Sequence, residues 1–258
     1  MKSFVLFLNG DLGLKVLRYV ITQDGVEING IVLNSIDKRS AAYFGQVTSL
    51  LNEFGENCPI ISYTDAAGSC LEIVDLIHGS DYGISALFGH ILPSAWLEST
   101  HCEIINLHPS FLPIGRGADP IPWSIIDKQK QGVTLHIINS GLDTGPILSQ
   151  KEIPTNIGMN AGEIYETAIE VLYKELENVF YSWINGAVEL KKQPNSTSLT
   201  RKSQDLESIR VLKLDEIATF AEFLRKLQAL TFSDSRRPLF VDESGRLWKV
   251  EVWITPEI

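Results

Sequence analysis

The sequence has few cysteines, no long apolar run and no paired metal-binding motif, and each absence excludes a class of protein. Its cysteines, Cys58, Cys70 and Cys102, are too few and too far apart to form a disulfide framework. No segment reaches the roughly 20 uninterrupted apolar residues of a membrane span, so we expect no membrane association. The histidines show no HExxH spacing and no CxxC accompanies them, so we expect no metal. The apolar run at the start is too short for a secretory signal, which predicts a cytoplasmic protein.

A basic excess is also missing. The formal net charge is -10 at pH 7, and it is unevenly placed along the chain. Residues 1–200 hold 12 Lys and Arg against 22 Asp and Glu, whereas residues 201–258 hold 10 against 10. Proteins that bind nucleic acids normally present a basic face, because neutralising phosphates supplies much of the affinity. We therefore expect no nucleic-acid partner.

The chain does contain a regular alternation of strand-like and helical patterns. Apolar runs such as SFVLFLNG, EINGIVLN, PIISY, YGISALFG and EIINLH alternate with segments whose apolar residues recur at helical spacing. This rhythm predicts an α/β fold with a Rossmann-like, mostly parallel sheet and helices on both faces. Two further strands, GVTLHIIN and PILSQKEI, flank the loop SGLDTG, and a helix is expected from about Gly162 to Trp183. Ligands of such sheets bind at the carboxyl ends of the strands.

A polar stretch, KKQPNSTSLTRKSQD, is the best candidate for a domain boundary. It divides the chain into a larger domain, residues 1–200, and a small C-terminal α+β subdomain, residues 201–258. In the subdomain, DEIATFAEFLRKLQAL predicts an amphipathic helix, and PLFVDESGRLWKVEVWI predicts two strands joined by a turn at Gly245. So short a segment cannot build a core alone, so it should pack on the larger domain or on a second subunit.

Polar residues with catalytic potential follow one of the predicted strands. The run EIINLH ends in Asn106 and His108, and strand alternation places their side chains on the same side. The prolines and glycines that follow predict a shaped loop without regular structure. Histidine can shuttle a proton near neutral pH, and an asparagine amide can donate to a developing oxyanion. The loop SGLDTG supplies Asp143, a carboxylate that can orient the imidazole; a structural histidine and an ordinary Asx-turn are the alternatives.

These segments resemble a known family. NLHPSFLPIGRGADPIPW, with GVTLHIINSGLDTGPIL and the weaker FGHILP, is similar to the catalytic domain of the folate-dependent formyltransferases across roughly residues 1–190. The resemblance implies that Asn106, His108 and Asp143 are the catalytic triad and that 10-formyltetrahydrofolate is the formyl donor. A neutral amine would attack the formyl carbon. Asn106 and protonated His108 would stabilise the oxyanion, while Asp143 would hold the imidazole and help the proton leave.

The resemblance also implies the binding sites. The folate pocket would be lined by Phe88, Gly89, His90, Ile91, Leu92, Ser110, Phe111, Leu112, Pro113, Gly141 and Leu142. His90 receives no catalytic role. Asn9 and Gly10 precede a helix whose amino terminus favours anions, and relatives direct the equivalent loop at the acceptor's phosphate. Arg116 is an isolated basic residue in the proline-rich loop and a further candidate contact for an anionic acceptor; a structural salt bridge is the alternative.

The C-terminal subdomain, residues 201–258 and called the tail below, distinguishes the branches of this family. Methionyl-tRNA formyltransferases carry a large basic β-barrel after the catalytic domain, and glycinamide ribonucleotide formyltransferases are shorter single domains. The sugar-nucleotide N-formyltransferases of bacterial surface-glycan biosynthesis resemble this chain best, and their tail often contributes to a dimer. We therefore expect a nucleotide-linked amino deoxysugar as acceptor, and a homodimer. Formylation of the other two acceptors, hydrolysis of formyltetrahydrofolate and an inactive ligand-binding homologue are the alternatives.

Overall fold

A computed structural model describes residues 1–34, 38–63, 67–98, 100–194, 200–232 and 237–255. The strands are β1 Lys2–Leu8, β2 Val26–Leu33, β3 Ile60–Ser62, β4 Tyr82–Ala86, β5 Glu103–His108, β6 Gly132–Ile137, β7 Ile147–Glu152, β8 Val211–Leu212, β9 Leu239–Val241 and β10 Leu247–Lys249. The helices are α1 Gly10–Ile21, α2 Lys38–Phe54, α3 Ala67–His78, α4 Ser94–Leu97, α5 Pro120–Ile126, α6 Ala161–Ile184, α7 Ser203–Arg210 and α8 Phe220–Leu230.

Among the described residues, β1 to β7 form a seven-stranded sheet in the order β3-β2-β1-β4-β5-β6-β7. β1 pairs in parallel with β2 and β4, β2 pairs in parallel with β3, and β4 pairs in parallel with β5. The predicted mostly parallel, Rossmann-like α/β sheet is thus confirmed. The strand order changes direction between β1 and β4, and ligands of open α/β sheets bind at the carboxyl ends of the strands near such a switch.

β1 is buried from Phe4 to its end at Leu8. Each side chain from Phe4 to Leu8 is 0% exposed, as expected for a strand of a parallel sheet that is covered on both faces. The same part of the molecule contains a core cluster drawn from strands and helices: Val5, Phe7, Val32, Ile73, Ile77, Leu92, Trp96, Cys102 and Ile104. This apolar support fixes the ends of β1, β4 and β5, where polar side chains follow.

Two compact units account for the chain, and each unit combines separate segments. The first unit contains Met1–His108, Leu135–Ser149 and Leu172–Lys192, and the second contains Pro109–Thr134, Gln150–Val171 and Gln193–Ile258. The predicted division into residues 1–200 and 201–258 stays a prediction. Residues 195–199 of the polar boundary segment lie outside the described residues.

The predicted helix from Gly162 to Trp183 is α6, which extends one residue further at each end. Its apolar stripe includes Leu172, Leu176 and Phe180, which are each 0% exposed. In the described part of the chain, no helix combines the length and apolarity that crossing a membrane requires.

The C-terminal elements of the second unit share a hydrophobic cluster with α5. The buried members of this cluster are Trp123, Leu206, Leu212, Leu227 and Leu230, contributed by α5, α7, β8 and α8. β8, β9 and β10 form a small three-stranded sheet, in which β9 and β10 are the predicted antiparallel hairpin. The tail therefore packs on a helix from the middle of the chain, as expected of a segment too small to fold alone.

Some local predictions differ from the structure. The proline-rich loop was expected to lack regular structure, but Pro120 begins α5, where the first helical N–H needs no partner. The predicted helix beginning at Asp215 starts only at Phe220. The reason is a capping box in which Thr219 accepts from the N–H of Glu222 and the Glu222 carboxylate accepts from the Thr219 N–H. α7 and β8 were not predicted.

The proline-rich loop is held by the beginning of the tail. The N–H of Arg201 donates to the Arg116 carbonyl at 3.3 Å, and the N–H of Ala118 donates to the Arg201 carbonyl at 2.9 Å. The Arg201 guanidinium also lies 4.0 Å from the centroid of the Trp123 ring. Gly117 lies between the two backbone bonds with φ of 91°, and a Cβ there would overlap the Arg201 carbonyl. Loop and tail are therefore tightly fitted within the second unit.

We expect Gly117→Ala to destabilise the protein more than Gly245→Ala. The two glycines have φ of 91° and 81°, so alanine costs about 1–2 kcal/mol at either position through backbone strain alone. A Cβ at Gly245 meets nothing within 4 Å, whereas a Cβ at Gly117 overlaps backbone. The free energy of unfolding in urea should therefore fall by at least ~1 kcal/mol more for Gly117→Ala. Equal losses would contradict a tight fit between loop and tail.

Candidate active site

β5 ends in the two polar side chains that the sequence analysis selected. Ile104, Ile105 and Leu107 are at most 2% exposed, so the apolar part of the strand is anchored in the core. Asn106 and His108 occupy alternate positions at its carboxyl end, and His108 is only 6% exposed. The strand thereby holds an amide and an imidazole at the edge of the sheet where ligands of this fold class bind.

Asp143 belongs to a loop that Asn139 organises. The Oδ1 atom of Asn139 accepts from the N–H of Gly141 at 3.1 Å and from the hydroxyl of Thr144 at 2.8 Å. Asp143 itself has φ of 51°, in the left-handed region that aspartate adopts more readily than most residues. The predicted Asx-turn alternative is therefore partly realised, but by Asn139 and not by Asp143.

Gly145 lets this loop return closely to β6. A Cβ at Gly145 would overlap the carbonyl oxygen of Ile137, so only glycine fits at this approach. The N–H of Ile137 also donates to the Pro146 carbonyl at 2.9 Å. Gly145, the glycine of the Asp-Thr-Gly sequence, therefore allows the loop that contains Asp143 to lie against the end of β6.

The carboxylate of Asp143 lies between two imidazoles. One carboxylate oxygen lies 3.9 Å from His108 Nδ1, and the other lies 3.5 Å from His136 Nε2. Asn106 Nδ2 lies 3.3 Å from the same His136 nitrogen. The side chains of His108, His136 and Asp143 are 7%, 2% and 10% exposed, and charges and dipoles interact more strongly in such surroundings than in water. The structure thus brings the three predicted residues together and adds His136.

The separation between His108 and Asp143 affects what the pair can do. At 3.9 Å the two atoms are within ion-pair range but too far apart for a direct hydrogen bond. A bridging water can complete such a contact. The carboxylate is thus placed to favour the protonated imidazole and to pass on a proton, which are the roles expected of it.

His108, His136 and Asp143 also form a set of possible metal ligands, with donor atoms within 4.8 Å of one another. The hydrogen bonds of His136 oppose such a use. Its Nδ1 lies 2.9 Å from the Ile137 carbonyl, and its Nε2 faces the amide of Asn106. A cation would have to displace one of these partners, so the arrangement fits proton chemistry better than a metal centre.

The predicted folate segment, Phe88–Leu92, follows β4 in the first unit. The N–H of Gly89 donates to Oδ1 of Asn34 at 3.2 Å, which holds the turn to the end of β2. Leu92 is buried, whereas Ile91 is 68% exposed. One side chain therefore anchors the segment while its neighbour presents apolar surface to the solvent.

Aromatic rings surround the same turn. The Phe88 ring packs edge-on against Phe7, with centroids 5.5 Å apart, and the ring of His90 lies over that of Tyr63, with centroids 4.2 Å apart. Such a surface suits a flat heteroaromatic ligand. The sequence did not predict Tyr63 as a residue of the folate pocket, because nothing near Tyr63 in the sequence indicated its contact with His90, 27 positions later.

The other predicted folate residues are divided between the units. Gly141 and Leu142 lie in the first unit, whereas the run from Ser110 to Pro113 lies in the second. There the Thr134 hydroxyl donates to the Ser110 carbonyl at 2.7 Å and accepts from the N–H of Leu112 at 3.1 Å. The side chains of Ser110 and Leu112 are buried, so this run is held rigidly by its own unit.

The predicted acceptor contacts use part of their hydrogen-bonding capacity within the protein. Asn9 donates through Nδ2 to the Leu87 carbonyl at 3.2 Å, and α1 begins at the next residue, Gly10. In the second unit, Arg116 donates through Nη2 to Oε1 of Gln193 at 2.6 Å. Its Nε is buried and has no hydrogen-bond partner in the part of the chain that the structure describes. A buried donor in this state is costly, which favours an incoming anion or water.

Sequence reasoning missed His136 and Asn139 as site residues. His136 lies in the otherwise apolar strand GVTLHI, and a histidine at a buried strand position needs a polar partner. That requirement was the available signal for His136. Asn139 begins the turn that contains Asp143, and asparagine commonly organises such turns.

Comparison with known proteins connects this geometry to a family. Residues 69–179 match the family model described as formyl transferase, and residues 205–256 match the N-formyltransferase dimerization C-terminal domain. A dTDP-4-amino-4,6-dideoxyglucose formyltransferase from Mycobacterium bovis is 35% identical over 185 residues, which cover 72% of this chain and 78% of the relative.

Solved structures of similar proteins extend the match to the whole chain. A Mycobacterium tuberculosis protein assigned as a sugar N-formyltransferase has a TM-score of 0.80 and 27% identity, with 100% of both chains covered. An N-formyltransferase from Helicobacter canadensis, in complex with folinic acid and dTDP-3-aminofucose, has a TM-score of 0.71 and 22% identity. The match covers 93% of this chain and 86% of the Helicobacter canadensis chain.

We expect Asn106→Ala and His108→Ala each to lower formyl-transfer turnover at least a hundredfold, the typical effect of removing an oxyanion donor. Both residues end a strand whose stability comes from apolar neighbours, so the folded state should survive. Steady-state turnover would be measured beside thermal unfolding. Near-normal turnover in either variant would exclude that residue from the chemistry.

Proposed function

The chain belongs to the folate-dependent formyltransferases, and we propose that it transfers the formyl group of 10-formyltetrahydrofolate to the amino group of a dTDP-linked amino deoxysugar. The observation that carries this proposal is the approach of Asp143 to Asn106 and His108 at the end of β5, where the side chains of His108 and Asp143 are 7% and 10% exposed. These residues fall within the segment that matches the formyl transferase model.

The roles of the cluster follow from its chemistry. As the neutral amine attacks the formyl carbon, negative charge develops on the formyl oxygen, and the Asn106 amide and protonated His108 donate to it. Asp143 keeps His108 protonated and oriented, and it receives the proton that the amine loses. Collapse of the tetrahedral intermediate then breaks the bond between the formyl carbon and N10 of the folate, and that nitrogen takes up the proton as tetrahydrofolate leaves. The low exposure of His108 and Asp143 strengthens the electrostatic interaction between them, because little water screens it.

The proposed folate contacts of the first unit are Phe88, Gly89, His90, Ile91 and Leu92, on the pterin side, together with Gly141 and Leu142. Those of the second unit are the residues from Ser110 to Pro113. The exposed Ile91 and the adjacent rings of His90 and Tyr63 support this assignment, because they offer apolar and aromatic surface to a pterin ring. The backbone of this segment can supply the polar contacts that orient a pterin.

Asn9, Gly10 and Arg116 contact the anionic acceptor in this proposal. The free Nε of Arg116 supports its role, since a phosphate would satisfy a donor that the described residues leave without a partner. Gly10 contributes the backbone at the amino terminus of α1, where partial positive charge favours phosphate oxygens. Asn9 can offer only the polar atoms that its bond to Leu87 leaves free.

The C-terminal region supports a sugar acceptor over the alternatives. It matches a domain found in N-formyltransferases, and it lacks the basic excess that binding tRNA demands. The relative from Mycobacterium bovis acts on dTDP-4-amino-4,6-dideoxyglucose, which makes that compound the first acceptor to test. A place in surface-glycan biosynthesis and a cytoplasmic location complete the proposal.

Incubation of the chain with 10-formyltetrahydrofolate and dTDP-4-amino-4,6-dideoxyglucose should add one formyl group to the sugar nucleotide, detected by mass spectrometry. Asn106→Ala is the matched control, because it removes an oxyanion donor without altering the acceptor loop. Tetrahydrofolate release that does not depend on any amino sugar would indicate a hydrolase instead. Formylation of methionyl-tRNA or glycinamide ribonucleotide in place of amino sugars would contradict the acceptor class.

The protein forms a homodimer through its C-terminal region in this proposal. Large apolar side chains of the tail are exposed in the single chain, including Ile217 at 99%, Phe220 at 80% and Trp253 at 68%. Apolar groups concentrated in one segment mark an interaction surface. A second copy is the occupant that the match to a dimerization domain favours.

Replacing Ile217 and Phe220 together by aspartate should shift the protein from dimer to monomer in sedimentation velocity at micromolar concentration. Both side chains are exposed, so the fold of the single chain should be little affected. Leu71→Asp, at a position on α3 that is 68% exposed, is the control and should remain a dimer. A monomeric unmodified chain would contradict the dimer itself, and a dimeric double variant would place the interface elsewhere.

A further inference from the structure

His136 is a buried polar group of the candidate active site, and the proposed reaction assigns it no role. It lies near the end of β6, and its side chain is 2% exposed. Its Nε2 lies 3.3 Å from Asn106 Nδ2 and 3.5 Å from Asp143 Oδ1. One ring nitrogen thus faces two of the three groups that carry the chemistry.

The second ring nitrogen defines the state of the first. His136 Nδ1 lies 2.9 Å from the carbonyl oxygen of Ile137, and a carbonyl only accepts, so Nδ1 carries a hydrogen. In the neutral imidazole, Nε2 then holds a lone pair. The Asn106 amide nitrogen donates one of its two hydrogens to that lone pair, which fixes the orientation of the amide.

This orientation is the one that oxyanion stabilisation needs. With one N–H of Asn106 engaged by His136, the second N–H has a defined direction and stays available for a substrate oxygen. If the amide were reversed, its oxygen would replace the donor and repel developing negative charge.

We propose that His136 is a positioning residue that holds the Asn106 amide as a donor to the formyl oxygen. It acts through Asn106 and does not touch the substrates. The kinetic test of this inference rests on the proposed function, because it measures formyl transfer to an amino sugar. Its contribution should appear in turnover and not in substrate binding, because the oriented amide matters most where charge develops.

Two substitutions of His136 separate this role from simple packing. In His136→Gln, the side-chain amide reaches the position of Nε2 and can still accept from Asn106. In His136→Asn, the shorter amide reaches only the position of Nδ1, so it can keep the bond to the Ile137 carbonyl but offers Asn106 nothing. We expect kcat to fall roughly tenfold or more in His136→Asn with KM for both substrates little changed, and to stay within about fivefold of normal in His136→Gln.

A double-mutant cycle with Asn106→Ala tests whether the effect passes through Asn106. If it does, His136→Asn should cost much less in the Asn106→Ala background than in the unmodified chain. The same loss in both backgrounds, normal kcat in His136→Asn, or equal losses in both His136 variants would overturn the proposal. An unmodified chain that fails to formylate any amino sugar contradicts the proposed function instead.

A spectroscopic measurement tests the same inference without an acceptor. Nitrogen-15 NMR of the imidazoles should show His136 as the neutral tautomer with hydrogen on Nδ1, and Asn106→Ala should shift its Nε2 resonance. Folding of each variant is checked by the same spectra. A hydrogen on Nε2, or no response to Asn106→Ala, would contradict the proposed contact.

Discussion

Burial of polar groups at the end of β5 is the constraint on which the rest of the candidate site depends. The side chains of His108, His136 and Asp143 are at most 10% exposed, so these groups need partners among their neighbours or in the backbone, and the partly exposed Asn106 is one of those neighbours. The Nε2 of His136 lies within reach of both Asn106 and Asp143, so the positions of an amide and a carboxylate from different segments are coupled. Electrostatic interactions among these side chains are strong in such surroundings, and they stabilise one arrangement of the hydrogen-bond donors and acceptors over the others.

Elements without any polar role make that arrangement possible. The buried residues Phe4–Leu8 of β1 and the apolar residues of β5 hold the strand ends in place, so the polar side chains lose little freedom on meeting a substrate. Gly145 allows a backbone approach that no other residue permits, and Asn139 closes the turn that contains Asp143. In the second unit, Arg201 and Gly117 fit the proline-rich loop to the start of the C-terminal segment, so that segment is part of the support for the loop.

Much of the fold could be predicted because its signals are local. Alternating strands and helices are encoded in short-range periodicity, and the prediction of a mostly parallel sheet with a small C-terminal sheet is confirmed. The errors have local causes too: Pro120 was taken to exclude a helix that it begins, and the capping box at Thr219 shortens α8. α7 and β8 are too short for periodicity to reveal, and they are stabilised by the cluster around Trp123, which joins residues far apart in the chain.

The sequence by itself determined which chemistry this protein carries. Asn106, His108 and Asp143 stand in segments whose residue types and spacing resemble one family, and the short, charge-balanced C-terminal segment pointed away from tRNA. Only the tertiary structure decided how these groups are held. Strand alternation tells which side a residue faces, but not which neighbour it meets, so the contact of His136 with Asn106 and Asp143 could not be inferred from spacing. The reason is physical: hydrogen bonds across strands and loops depend on register and on close backbone approaches, which appear only once the chain is folded.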